Sequence, residues 1–323
     1  MPPAPSCRKI PMDGALRLTT NRTESSSPGF DQAIPPFLKW AGGKRWLAPL
    51  IASLIDRTWI YHEPFLGSGA CFFRICPNRS HLTDVNADLI RAFRAVQTNP
   101  DSVSRLLDSF NISLKTFDLV KKWEATSDSE TAARLIYLNR TAFAGLYRVN
   151  RLGHFNVPFG CKLTTTLPTR ALLREWSARL AGAIIAQRDF EHAMRDVKRW
   201  HLVYVDPPYT AKHTNGTFRR YNETLFSWKD QERLAQASIE CVERGARVLV
   251  SNARSSEVTR LYPRRLFDRV ELARPSNLAA NPKYRGYCTE LLLASRNMGL
   301  RGRTLQRIRS QFGTLFPRVS RSS

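Results

Sequence analysis

Acid is what this chain is shortest of: 27 Asp and Glu stand against 50 Lys and Arg in 323 residues, a formal charge of +23 at pH 7. Residues 299–323 hold six arginines and no acid, and taking those six away still leaves +17 on the remainder. Such a deficit does not choose a fold, but it favours a polyanionic partner and steered association. Cysteines are few, and the six present (Cys7, Cys71, Cys76, Cys161, Cys241, Cys288) form no CxxC pair and no Cys/His metal pattern. Structural zinc is therefore disfavoured, and reduced thiols in a cytoplasmic protein are the expectation. None of the six follows a proline, so no Pro-Cys nucleophile turn exists. No apolar run approaches the length of a membrane span, and the N-terminus has no signal-type apolar core. The glycines spell neither GxGxxG nor a Gly-Lys-Ser/Thr phosphate loop, which disfavours a dinucleotide or a nucleoside triphosphate as ligand. No internal repeat is visible.

What is present is strands alternating with helices, the pattern of a mainly parallel sheet covered on both faces. Residues 1–33, rich in Pro, Ser, Thr and Arg, read as a disordered leader or as an upstream start codon carried into the sequence. Residues 34–94 and 183–298 read as one discontinuous α/β domain, 95–182 as a mainly helical insert, and 299–323 as a basic tail. Strands are expected at Trp59–Glu63, His81–Asp84, Ala183–Ala186, Leu202–Asp206, Ala246–Asn252, Phe267–Leu272 and Glu290–Ala294. Helices are expected at Trp46–Arg57, from near Asn86, at Leu114–Trp123, Glu130–Asn139 and Pro168–Leu180, and at Lys229–Glu243.

Four stretches carry chemistry. In Phe37–Trp46, Gly42 and Gly43 permit close backbone approach, Lys44 offers a cation and Trp40 a stacking face. Glu63-Pro-Phe65-Leu-Gly67-Ser-Gly69 is a glycine turn between a strand and a helix, as in a nucleotide-binding first unit. Asp84 follows at the distance where βαβ folds place the acid that bonds ribose hydroxyls; the alternative is a helix cap. Between Asn139 and Gly160, Arg140, Arg148 and Arg151 interleave with Phe143, Tyr147 and Phe155, a composition suited to phosphate contact, base-edge bonding and wedging beside an unstacked base. The plainer alternative is a hairpin with core aromatics and solvated arginines. The fourth stretch is Asp206-Pro207-Pro208-Tyr209, directly after an apolar strand. Its carboxylate stands at a strand's carboxyl end, its prolines have no N–H to engage nearby carbonyls, and Tyr209 supplies a flat ring. Two acceptors and a stacking face suit an amino group on a planar heterocycle.

Taken together and in this order, Phe37-Leu-Lys-Trp-Ala-Gly-Gly-Lys44, Glu63-Pro-Phe-Leu-Gly-Ser-Gly69, Asp84-Val-Asn86, Leu138–Gly160 and Asp206-Pro-Pro-Tyr209 resemble the Dam-type family of site-specific DNA adenine-N6 methyltransferases over roughly residues 35–295. The resemblance implies S-adenosylmethionine as methyl donor, a seven-stranded Rossmann-like sheet with its last strand antiparallel, and a helical target-recognition insert. It implies Asp206, Pro207 and Tyr209 as catalytic residues. Trp40, Lys44, Glu63, Phe65, Gly67, Gly69, Asp84 and Asp206 would meet the cofactor, and Lys39, Arg140, Phe143, Leu146, Arg148 and Pro158 the DNA. Related proteins often carry Asn at the position of Ala144, Glu at that of His154 and a basic residue at that of Cys161, so a GATC target is not implied. Double-stranded DNA is the expected partner of a monomeric enzyme, with a cognate restriction enzyme a candidate second partner. Three rivals share parts of the pattern: an adenine-N6 enzyme acting on ribosomal RNA, a cytosine-N4 enzyme, and a catalytically silent DNA-binding regulator on the same fold. A cytosine-C5 enzyme is disfavoured by the missing Pro-Cys turn.

Overall fold

Pro207 and Pro208 end a strand at Val205, because neither can donate to a sheet ladder. That strand lies at the centre of the fold. The computed structural model describes residues 34–300 except 41, 151–152, 162–163, 210–225 and 276–286, all within one unit that spans Ala33–Ser323. The leader, residues 301–323 of the basic tail and Arg151 lie outside the described residues.

Seven strands, β1 (Ile60–Glu63), β2 (Arg79–Asp84), β3 (Ala183–Gln187), β4 (Leu202–Val205), β5 (Arg247–Ala253), β6 (Phe267–Pro275) and β7 (Tyr287–Ser295), form one sheet in the order β3-β2-β1-β4-β5-β7-β6. β1 to β5 pair in parallel, and β7 runs antiparallel between β5 and β6. The strand order reverses between β1 and β4, and open α/β sheets bind ligands in the crevice at such a switch point.

β4 is buried on both faces: Leu202 and Tyr204 join one apolar core, Val203 and Val205 the other. Continuous apolar character is what a parallel strand between two helical layers requires. The helices are α1 (Ala48–Ser53), α2 (Ala70–Ile75), α3 (Ala87–Thr98), α4 (Pro100–Asp108), α5 (Leu114–Lys122), α6 (Asp128–Thr141), α7 (Arg170–Leu180), α8 (Phe190–Arg195), α9 (Trp228–Glu243) and α10 (Ser256–Leu261). Asn86 caps α3 by accepting from the Leu89 amide, and capping boxes start α6 (Ser127 with Glu130) and α9 (Ser227 with Asp230). None of these helices is long and apolar enough to cross a membrane.

Two expectations need correction. The first helix ends at Ser53 rather than near Arg57, because the Asp56 carboxylate accepts from the Thr58 amide and hydroxyl at 2.9 and 2.7 Å, a turn that redirects the chain into β1. The boundary at residue 94 falls inside a helix: α3 runs to Thr98 because Ala95 and Val96 continue its buried stripe. α3 lies on β2 and β3, and α4, α6 and α7 pack on α3.

Candidate active site and nucleic-acid face

β1, β2 and β4 each deliver a carboxylate to the same edge of the sheet: Glu63 ends β1, Asp84 ends β2 and Asp206 follows β4. Lys44, from the loop before α1, reaches Asp206 Oδ1 with Nζ at 2.8 Å, and the side chains are only 4% and 18% exposed. The same ammonium donates to the Gly42 carbonyl at 3.0 Å and lies 4.6 Å from the centre of the Tyr209 ring. Ser251 on β5 donates to Asp206 Oδ1 at 2.8 Å.

Glu63 is buried and accepts from the Tyr61 hydroxyl at 2.9 Å. Burial pushes its carboxyl up to about 8; the Tyr61 hydroxyl and the Phe72 amide pull back, while the charges of Asp206 and Asp84 push further up. Phe72 is the third residue of α2, so Glu63 lies against the positive end of that helix. Asp84 is raised by burial as well, against bonds from the amides of Asn86, Gly67 and Val85. Its Oδ1 accepts from Asn86 at 3.0 Å and its Oδ2 from Gly67 at 3.1 Å. The cap of α3 is therefore Asn86, and Asp84 ties the glycine turn to the helix entrance.

The glycine turn meets Trp40. Gly67 and Gly69 have left-handed φ angles of 48° and 67°, and a Cβ on Gly67 would stand 3.0 Å from Trp40 Cδ1. Trp40 in turn stacks on Tyr147, with ring centres 5.4 Å apart and planes 17° from parallel. Phe65 stacks on Phe190, which opens α8 just after β3, and lies edge-on to Phe226. Lys44, Glu63, Asp84 and Asp206 thus gather at one edge of the sheet, one lysine among three carboxyl groups, with Trp40 and Gly67 beside Asp84 and Gly69 turned towards Phe73 and Phe93.

Beside it lies the 142–160 hairpin, pinned by bridges Ala142–Phe159 and Val149–Phe155. Asn139, buried at the end of α6, clips it to the crevice: Oδ1 accepts from the Lys39 amide at 2.7 Å, and Nδ2 donates to the carbonyls of Lys39 and Gly145 at 2.8 and 3.0 Å. Ala144 and Gly145 are both left-handed, at φ 55° and 65°, so the chain turns sharply there. The Lys39 stem lies across Gly145, where a Cβ would come within 2.5 Å of Lys39 Cδ. Phe143 is 60% exposed and its amide bonds the Pro158 carbonyl at 2.9 Å. Lys39, Phe143, Leu146 and Pro158 are all exposed, Lys39 across Gly145 and Pro158 bonded to the Phe143 amide.

The loop's other members divide. Arg148 is exposed and donates to Asn156 Oδ1 across the hairpin at 2.8 Å. Arg140 turns inward: it donates to the Phe37 carbonyl at 3.4 Å, and burial, with Arg45 nearby, lowers its pKa. Phe155 is a core residue packed on Phe117, and Tyr147 serves as the plate beneath Trp40. The sequence reading missed Asn139, Tyr61 and Ser251. A buried-position Asn closing a helix before a glycine turn was a usable signal for Asn139, while Ser251 needed the pairing of β4 with β5.

Residues 40–275 match the D12 class N6 adenine-specific DNA methyltransferase family. The chain is 32% identical to the type II methyltransferase M1.LlaDCHI of Lactococcus lactis subsp. cremoris, over 81% of this chain and 95% of that protein. It is 30% identical to the DNA adenine methylase of Haemophilus influenzae, over 80% and 92%. With the DNA adenine methylase of Escherichia coli K12 it shares 29%, over 79% and 93%. A solved rRNA methylase from Streptococcus thermophilus aligns at a TM-score of 0.31 with 10% identity, over 77% of this chain and 93% of that one. By the extent of the family match, the chain belongs to the D12 class of N6 adenine-specific DNA methyltransferases.

Proposed function

We propose that the chain transfers a methyl group from S-adenosylmethionine to N6 of an adenine flipped out of a specific site in duplex DNA. The observation that supports this most is the carboxylate of Asp206, fixed by Lys44 and Ser251 at the switch point beside Glu63. Charge supports the cofactor: with Glu63 kept protonated by burial, Asp84 and Asp206 still outnumber Lys44, and a ligand of net charge +1 makes up the deficit. Trp40, Phe65, Gly67, Gly69 and Asp84 would hold it, together with Glu63 and Lys44. S-adenosylmethionine, when bound, supplies an electrophilic methyl group.

The protein's task is to make the amino group a nucleophile. Adenine N6 is weakly nucleophilic because its lone pair is delocalised into the ring. The Asp206 carboxylate and the Pro207 carbonyl accept its two N–H groups, which draws the nitrogen towards pyramidal geometry and frees the lone pair. Tyr209 stacks on the extruded base, a contribution of about 1–3 kcal/mol. Phe143 and Leu146 fill the gap left in the stack, while Lys39, Arg148 and Pro158 meet the neighbouring bases. Arg140 contributes from the inner side of this face, by supporting the strap around Phe37.

DNA rather than ribosomal RNA is the substrate, as the family indicates, and its adenine specificity sets aside the cytosine-N4 reading. Relatives include both type II methyltransferases and DNA adenine methylases, so a restriction partner belongs to one of two settings. Cells expressing the chain should acquire N6-methyladenine at one short motif in their genomic DNA. A duplex DNA should outcompete ribosomal RNA for methyl transfer in vitro. Methylated RNA with unmodified DNA would overturn the assignment.

A further inference from the structure

Asp206 is held from behind as well as from the side. Ser251 is fully buried; its Oγ lies 2.8 Å from Asp206 Oδ1 and 3.1 Å from the Tyr204 hydroxyl. An ionised carboxylate only accepts, so the single Ser251 proton goes to Asp206, and Tyr204 must donate to Ser251. The result is a directed chain, Tyr204 to Ser251 to Asp206. Its origin is the sheet: Tyr204 lies on β4, Ser251 on β5, and the pairing of Val205 with Val250 brings Ser251 level with Asp206. Lys44 Nζ reaches the same oxygen, Oδ1. Among the described residues, both side-chain partners of Asp206 fall on Oδ1 and neither on Oδ2.

We propose that Ser251, with Tyr204 behind it, is a positioning residue for methyl transfer: it fixes the rotation of the Asp206 carboxylate so that Oδ2 faces the incoming amino group. This rests on Asp206 being the acceptor for that group. Lys44 alone cannot fix the rotation, because a compact ammonium with three donors can meet either carboxylate oxygen. The hydroxyl of Ser251 sits on a strand and does not follow.

The test is single-turnover methylation by the full chain at saturating S-adenosylmethionine and duplex DNA, with melting temperature and both dissociation constants measured alongside. Ser251→Ala should slow the methyl-transfer step by about 10- to 100-fold, the scale of a misplaced catalytic group, with both dissociation constants within about twofold of the native values. Ser251→Thr, which keeps the hydroxyl, should recover most of the rate. Tyr204→Phe should slow the step by less, and should add nothing to Ser251→Ala. A folded Ser251→Ala protein that turns over at the native rate overturns the proposal. So does a rate loss matched by equal loss of cofactor affinity and not restored in Ser251→Thr. Should Ser251→Ala not fold, Tyr204→Phe decides, and a native rate there counts against the chain. Asp206→Ala run in parallel separates the two levels: turnover in that variant defeats the role assigned to Asp206, whatever Ser251→Ala does.

Discussion

Replacing Lys44 by Met gives a stability change that can be worked out from the structure. The substitution keeps most of the stem's volume and removes the charge, the 2.8 Å ion pair with Asp206, the bond to the Gly42 carbonyl and the contact with the Tyr209 ring. Removing one partner of a buried ion pair strands the other and costs about 3–5 kcal/mol. Asp206 keeps its bond from Ser251 and an 18% exposed side chain, which places the expected loss at the lower end, about 3 kcal/mol. When Asp206→Asn is added, no stranded charge remains, and the residual cost falls to that of the lost Gly42 bond, about 1 kcal/mol. Asp206→Asn alone strands the more deeply buried Lys44 and should likewise cost about 3 kcal/mol, so equilibrium urea unfolding of the native chain, both single variants and the double variant should close the cycle with a coupling of about 5 kcal/mol. Additive single effects, or a Lys44→Met protein within about 0.5 kcal/mol of native, would refute the reasoning.

Four further outcomes follow from the site. With a carboxyl raised to about 8, Glu63 stabilises the fold at low pH and loses that contribution as pH rises from its unfolded value of 4.5 towards 8, so Glu63→Gln should flatten the decline in stability over that window. His62, held down to about 3 by burial and then by His81 and His201, works in the opposite sense below pH 6.5, which is why the comparison is made between native and variant proteins across the whole range. A cationic ligand beside Glu63 should expel its proton, so S-adenosylmethionine affinity should rise by up to about tenfold per pH unit as pH approaches 8, and calorimetry in buffers of different ionisation heat should register proton release; no such release counts against the contact. Gly67→Ala should cost about 1–2 kcal/mol for the left-handed backbone, and its methyl, pressing on Trp40, should weaken cofactor binding measured by calorimetry. Phe143→Ala removes an exposed ring, so urea unfolding should shift by no more than about 0.5 kcal/mol. The methylation rate should nevertheless fall by at least about fivefold through the lost wedge, and an unchanged rate would remove Phe143 from base extrusion.

Elements whose ends are dictated by local chemistry could be read from the chain. Pro207 ends β4, the Ser227 box starts α9, and the apolar run Val248–Val250 is a central strand by composition alone. Where the outcome depends on a distant surface, the reading ran short. Helix α4 begins at Pro100 and buries only Val103, Ser104 and Leu107, too narrow a stripe to stand out in sequence. In the hairpin, Phe143 and Phe155 have the same chemistry, yet one faces solvent and the other Phe117, because two isolated bridges set the register rather than a regular alternation. Arg140 looked like its neighbour Arg148, but it lies on the side of α6 that faces Phe37 and Arg45. Lys44 and Asp206 were each legible as site residues; their ion pair, and Ser251 behind it, required the adjacency of β1, β4 and β5.

The role of Asp206 is tested most directly by single-turnover methylation with Asp206→Ala on a duplex carrying the cognate motif, with DNA and cofactor binding measured on the same samples. Loss of the carboxylate should leave binding of both ligands in place and slow methyl transfer by at least about 10³-fold, the upper scale for removing one group that stabilises developing charge. Transfer at the native rate would mean that some other group prepares the adenine nitrogen, and a mechanism built on the Asp206 carboxylate would be wrong.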